Sequence, residues 1–141
     1  KWYVFKRNFD TTTDNRCHSA TKKSQEGKNY KYDLTARFGS GAYQTYTTTI
    51  EPETTPPHKE PNAGKYNMLP GEDKVTRKIM TLQPSSGCAI LIDELQTDER
   101  RCQFLVKQSV VTGTPPSACE EVYKNNCGSN SSITLWSSDC Q

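Results

Sequence analysis

Six cysteines, at positions 17, 88, 102, 119, 127 and 140, divide a chain of 141 residues very unevenly. Their number is even and none forms a Cys-x-x-Cys pair. The one histidine close to any of them is His18, beside Cys17. A zinc site needs convergent ligands at short spacing, so this pattern points to disulfides and away from a metal. Disulfides imply an oxidising, extracellular compartment, and the chain is expected to be secreted. Spacing alone leaves the connectivity open. The staples have a clear purpose, because only 32% of the residues are hydrophobic. A core built from so little apolar material gains from covalent cross-links. Asn130-Ser131-Ser132 is a glycosylation sequon that agrees with secretion. The chain opens on Lys1-Trp2-Tyr3-Val4-Phe5, which already reads as a strand and not as a signal peptide, so a mature form is expected.

Short β segments separated by polar turns fill most of the length. Strands are expected at 2–9, 29–37, 43–50, 65–69, 74–82, 87–93 and 102–111. Asp10 to Asn15 reads as a turn, and Gly39-Ser40-Gly41 as a hairpin turn that uses the positive φ open to glycine. Pro70-Gly71-Glu72-Asp73 marks another turn. Residues 51–63, with Pro52, Pro56, Pro57 and Pro61, form a charged loop unsuited to a central strand. One helix follows the strands. Pro115 and Pro116 mark its entry, Ser117 is placed as its cap with Glu120 at the capping-box position, and Gly128 is a natural stop. Strands followed by one helix fit a single domain over 1–141, an antiparallel up-and-down barrel with the helix packed outside it. A sandwich is the alternative.

Several function classes fall away. Lys and Arg total 18 against 16 Asp and Glu, a net charge of +2 with no concentrated basic face for nucleic acid. No apolar run reaches the length of a membrane span. No heptad or exposed apolar stripe argues against a monomer. His18 and His58 are the only histidines, there is no Gly-x-Ser-x-Gly elbow, and the acidic pairs Asp93-Glu94 and Asp98-Glu99 sit in a charged turn. Bridged cysteines leave no thiol nucleophile. Binding, without a cofactor, is the expected activity.

Three stretches resemble the tick salivary lipocalins, a family that includes histamine-binding proteins, soft-tick complement inhibitors and leukotriene scavengers. Tyr3-Val4-Phe5-Lys6-Arg7-Asn8-Phe9-Asp10, with Cys17 after it, is similar to the family's first strand. Cys88-Ala89-Ile90, Cys102-Gln103-Phe104-Leu105 and Cys119 are similar to its last hairpin and helix entry, and Cys140 to its terminal cysteine. The resemblance implies an eight-stranded barrel and the pairs Cys17–Cys140 and Cys88–Cys119, which leaves Cys102 with Cys127.

If Cys88 and Cys102 face a helix outside the barrel, alternation turns Ala89, Leu91 and Asp93 inward, together with Gln103, Leu105 and Lys107. The family's first strand would add Tyr3, Phe5, Arg7 and Phe9 to the lining. These same aromatics could equally be plain core. The amine-binding members carry an Asp after the first hairpin cysteine and a Glu-Leu-aromatic triplet on the second strand. An ammonium entering a dry cavity needs such carboxylates. Here Ala89, Gln103 and Leu105 occupy those places, and Asp93, Asp10 or Asp14 would have to substitute. A lipid mediator needs an apolar slot with a cation near its carboxylate, which Arg7 or Lys107 would supply. Arg37, Arg77 and Arg101 are further cations whose facing the sequence leaves open, such residues being more often solvated than ligand groups. A third possibility is a host complement protein bound through outer loops, the Pro-rich Glu51–Asn62 loop first among them, with Thr11–Arg16 and Leu95–Arg100 beside it.

Overall fold

A computed structural model describes residues 1–39, 41–83, 85–93, 100–127 and 131–140. The strands are β1 (Trp2–Arg7), β2 (Arg16–Glu26), β3 (Asn29–Phe38), β4 (Ala42–Glu53), β5 (Ala63–Tyr66), β6 (Val75–Gln83), β7 (Cys88–Asp93) and β8 (Cys102–Lys107). Helix α1 (Ser117–Asn126) and a short β9 (Ile133–Thr134) follow. Consecutive strands from β2 to β8 pair antiparallel, and β8 then pairs with β1. Closure comes from β1 meeting β2 through Trp2↔Ala20 and Tyr3↔Ser19. The result is a closed eight-stranded antiparallel barrel with one C-terminal helix.

That closing seam is short, and the tail completes it. Beyond Tyr3 the partner of β1 on this side is β9, through Lys6↔Thr134 and Arg7↔Ile133. Leu135, fully buried, donates its N–H to Phe5 O at 2.8 Å and accepts from Cys17 N at 2.9 Å. The tail is thus wedged between β1 and β2, and the Cys17–Cys140 bridge holds it there. Cys88–Cys119 fastens α1 to β7, and Cys102–Cys127 fastens its far end to β8. These are the pairs that the resemblance implies.

The main apolar core lies outside the barrel, between its wall and the helix. Ile90, Phe104, Val106, Tyr123 and the sulfurs of two bridges form it. Phe104 sits between Phe5 and Tyr123, with ring centroids 5.9 Å away on each side. Edge-to-face and tilted aromatic packing of this kind adds to the gain from burial alone.

Several expectations need correction. The segment 16–26, given no strand above, is β2, one of the two longest strands. Its second half is polar on both faces, with Lys22, Lys23, Gln25 and Glu26 exposed. There the backbone ladder to β3, and not side-chain burial, holds the strand. β5 begins at Ala63, and β8 ends at Lys107, where Val110 N bonds Lys107 O in a turn. Pro52 lies inside β4, opposite Gly64, but beyond the last rung that β4 makes with β3, so its missing N–H leaves no gap in the ladder. Ser117 is the first helical residue and not the cap. The cap position is Pro116, with no side-chain bond, and Glu120 pairs with Lys6 at 3.0 Å instead of closing a capping box. Gly39 and Gly41 do take positive φ, 51° and 133°. Ser40, Glu94, the 95–99 part of the charged loop, Gly128 and the sequon's Asn130 lie outside the described residues.

Candidate functional site

Two cavities of about 420 Å³ and 330 Å³ occupy the barrel interior. Five residues, Ala20, Leu34, Tyr66, Leu91 and Leu105, border both, so the two form one passage. The larger cavity reaches the end where β1 runs into Asp10–Asn15 and β5 into Met68–Glu72. The smaller lies toward the opposite end, among Trp2, Tyr30, Tyr32, Ile50, Ile79 and Leu82. Ile79 and Leu82 are 42% and 47% exposed although they face inward, because β5 is too short to cover them.

The hairpin β7–β8 positions its side chains as alternation demands. Ile90 and Phe104 turn to the helix, while Ala89, Leu91, Gln103 and Leu105 face the passage. Arg7, opposite Gln103 in the ladder, also lines the larger cavity. Asp93 turns inward too, but it is already occupied. Its carboxylate takes Arg77 Nε at 3.1 Å and has Arg101 Nε 3.6 Å away. Arg77 also donates to Tyr66 O at 2.8 Å and lies over the Tyr66 ring. Burial pushes the Asp93 carboxyl up, and the two guanidinium groups oppose that rise. We place Asp93 as a structural counter-ion within the barrel wall and not as lining.

Four other expected lining residues are elsewhere. Tyr3 is 2% exposed within the helix-side core, and Phe5 packs against that core. The cause is the register: Tyr3 stands opposite Val106 and Val4 opposite Leu105, so Val4 takes the inward place. A bulge between Val4 and Lys6 then shifts the phase by one, which returns Arg7 to the inside. Phe9, past the strand, is buried under the guanidinium groups of Arg7 and Arg101, 5.1 Å and 4.2 Å from its ring. Lys107 sits at the rim with its ammonium 5.5 Å from the Trp2 ring. Of the substitute carboxylates, Asp10 reaches the mouth, where it is 3.6 Å from Arg101, while Asp14 is exposed.

His18 is the residue that sequence reasoning passed over, because the strand carrying it went unread. It lines the larger cavity. Burial lowers its pKa to about 4, helped by the nearby charges of Arg7 and Arg16, so the ring is neutral. Two of the three cations of open facing are not solvated surface charges: Arg77 is 4% exposed and faces inward with Ile79, since the two share one face of β6, and Arg101 is half-buried against Asp93 and the Phe9 ring. Among the described residues no group of three or more His, Cys, Asp or Glu side chains could hold a metal ion. No helix there is long and apolar enough to cross a membrane.

Comparison with known proteins agrees with this geometry. The family model for the tick histamine binding protein matches residues 1–141. No curated protein matches the sequence. Among solved structures, lobster apocrustacyanin A1 superposes with a TM-score of 0.73 at 17% identity, over 99% of this chain and 77% of that one. Japanin from Rhipicephalus appendiculatus, solved bound to cholesterol, superposes with a TM-score of 0.72 at 13% identity, over 99% of this chain and 93% of that one. At such identities the likeness is one of fold.

Proposed function

Since the chain belongs to the tick histamine-binding protein family, we propose that it is a secreted scavenger that holds a small host mediator inside its barrel, and that this mediator is a lipid of leukotriene or thromboxane type. The family and the fold are those of ligand-binding lipocalins. The choice of a lipid is carried by the charge of the interior. Arg7 and Arg77 face inward, and the carboxylate placed among them, Asp93, is held by Arg77 and Arg101. An ammonium would have to break that pair, which leaves a buried charge unpaired, or stay at the exposed rim with Asp10 and Glu72, outside the apolar passage. The leucines and aromatics along the passage suit a hydrocarbon. Japanin's cholesterol, in a barrel of the same fold, supports room for an apolar guest.

Such a protein acts by stoichiometry, so it must outcompete the host receptor in affinity and abundance. Titration calorimetry against leukotriene, thromboxane analogue, histamine and serotonin tests the reading. Heat with a lipid mediator at submicromolar concentration is expected, and heat with the amines alone would overturn it.

A host protein as partner is the second reading, favoured by the order of the Pro-rich loop. Asn62 ties it together: its Oδ1 accepts from Thr55 N at 2.8 Å and its Nδ2 donates to Thr55 Oγ1 at 2.7 Å. A loop with a preset shape loses little entropy on binding. Replacing 54–61 by a Gly/Ser linker should then abolish complement inhibition and leave lipid binding intact.

A further inference from the structure

Resting on the reading of the barrel as a lipid container, we propose that Arg7, Gln103 and His18 form a receptor for the carboxylate head of a long-chain acid, whose tail runs down the passage toward Trp2, Tyr30 and Ile79. Arg7 Nε, Gln103 Nε2 and His18 Nδ1 are buried and have no hydrogen-bond partner among the described residues. All three residues line the larger cavity. Arg7 and Gln103 are 8% and 4% exposed and sit opposite each other across β1 and β8. A buried polar group left unpaired costs about 1–3 kcal/mol, and folded proteins keep few of them. Three around one cavity mark a place prepared for a guest.

The chemistry of the three atoms selects that guest. A guanidinium Nε and an amide Nε2 can only donate, and a neutral imidazole nitrogen can donate in one tautomer. Their complement is therefore a group rich in acceptors. A carboxylate offers two oxygens with about four lone-pair directions, enough for all three donors. A sterol hydroxyl cannot serve three donors at once, and an ammonium serves none. The charge fits as well. Arg7 Nη2 is bonded to the backbone oxygen of Asp10, while the Asp10 carboxylate lies by Arg101. Among the described residues no carboxylate forms an ion pair with Arg7, and the imidazole beside it is neutral. Asp10 acts on Arg7 through space, but Arg101 and Arg16 oppose it, so positive charge stays in excess around Arg7.

The passage is also long enough. β4 borders the larger cavity at Gln44 and the smaller at Pro52. Eight residues of strand span roughly 26 Å, and with the tilt of a barrel strand this corresponds to about 20 Å of depth.

The test compares arachidonic acid, the corresponding primary alcohol, its methyl ester and cholesterol by titration calorimetry, on the unaltered protein and on Arg7→Met and Gln103→Leu. The acid is expected to bind at least about tenfold more tightly than the alcohol, by the strength of charge-assisted hydrogen bonds. Arg7→Met should bring that ratio to within about twofold, and Gln103→Leu should lower it severalfold. Acid and alcohol binding equally well would overturn the head site and leave the container standing. Binding of none of the four would remove both. Should Arg7→Met fail to fold, the near-isosteric Gln103→Leu decides alone: an undiminished acid preference rejects the receptor. Nitrogen NMR of His18 gives a separate readout. Its ring signals should move with the acid and not with the alcohol, and a ring indifferent to the acid loses its place in the trio.

Discussion

On the outward face of β8, Cys102, Phe104 and Val106 are sealed beneath the helix and at most 1% exposed, whereas on the inward face Gln103 and Leu105 border open cavity. The two faces belong to the same six residues, and they carry different tasks. Outside, aromatic packing and two disulfides concentrate the burial. Inside, volume is left unfilled and polar atoms are left unpaired. A barrel that placed its core in its interior would have no room for a guest. Moving the core to the outer wall frees the interior to be empty, at a cost the helix side can bear.

The sharpest way to break this contrast is to truncate neighbours on opposite faces. Phe104→Ala should cost about 3–5 kcal/mol, because a fully buried ring is lost from a packed cluster. Leu105→Ala should cost about 1–2 kcal/mol, because its side chain already borders a void on one side. Urea denaturation of both variants measures the difference. Equal costs would mean that the interior bears as much of the stability as the outer core.

The next effect is that of the staple. Replacing Cys88 and Cys119 together by Ala should cost about 3–4 kcal/mol, since the bridge closes a loop with a sequence separation of 31. The loss should appear in the melting temperature, with acid or sterol binding retained in the cold, if the inner face is independent of the outer.

Acid sharpens the comparison from the other side. His18 has a folded pKa of about 4 against an ordinary value of 6.5, so the unfolded chain takes up its proton first. Stability should therefore fall as the pH drops from about 6.5 to about 4, and level off below that. The loss attached to this one group is at most about 3 kcal/mol. Denaturation midpoints between pH 7 and pH 4, set against those of His18→Asn, isolate it. A midpoint difference that does not change with pH would place His18 in water and not in the cavity.

The same division explains what could be read from the residues. The β7–β8 hairpin was legible once the family resemblance turned its cysteines toward an outer helix: alternation then orients Ala89, Leu91, Asp93, Gln103 and Leu105, and it fails only at Lys107, at the end of the strand. The first strand was not. Alternation was carried through Tyr3, Phe5 and Arg7 as though unbroken, but the bulge near Phe5 makes the phase before it the opposite of the phase after it. Nothing in Val4-Phe5-Lys6 announces that slip, although the register with β8 determines it. β2 escaped because its polar half is held by backbone bonds to β3, which leave no hydrophobic period. His18 was lost with it. The disulfide pairs were legible only through likeness to a family, since spacing permits many connectivities.

The smallest effect is the most telling. Gln103→Leu removes an amide whose nitrogen is buried without a partner and substitutes an apolar group of similar size. In the empty protein this should stabilise by about 1 kcal/mol, since a buried donor that bonds nothing costs more than hydrocarbon in the same place. The same change on the outward face has no counterpart, because no unpartnered buried side-chain nitrogen or oxygen is found on the helix side among the described residues. If the interior is kept polar for a guest, stability and acid binding must move in opposite directions in this one variant. A higher denaturation midpoint together with a weakened preference for the acid over its alcohol is the expected pair of results. A lower midpoint would mean that the amide is satisfied in the folded protein, and that the inner face of β8 is core after all.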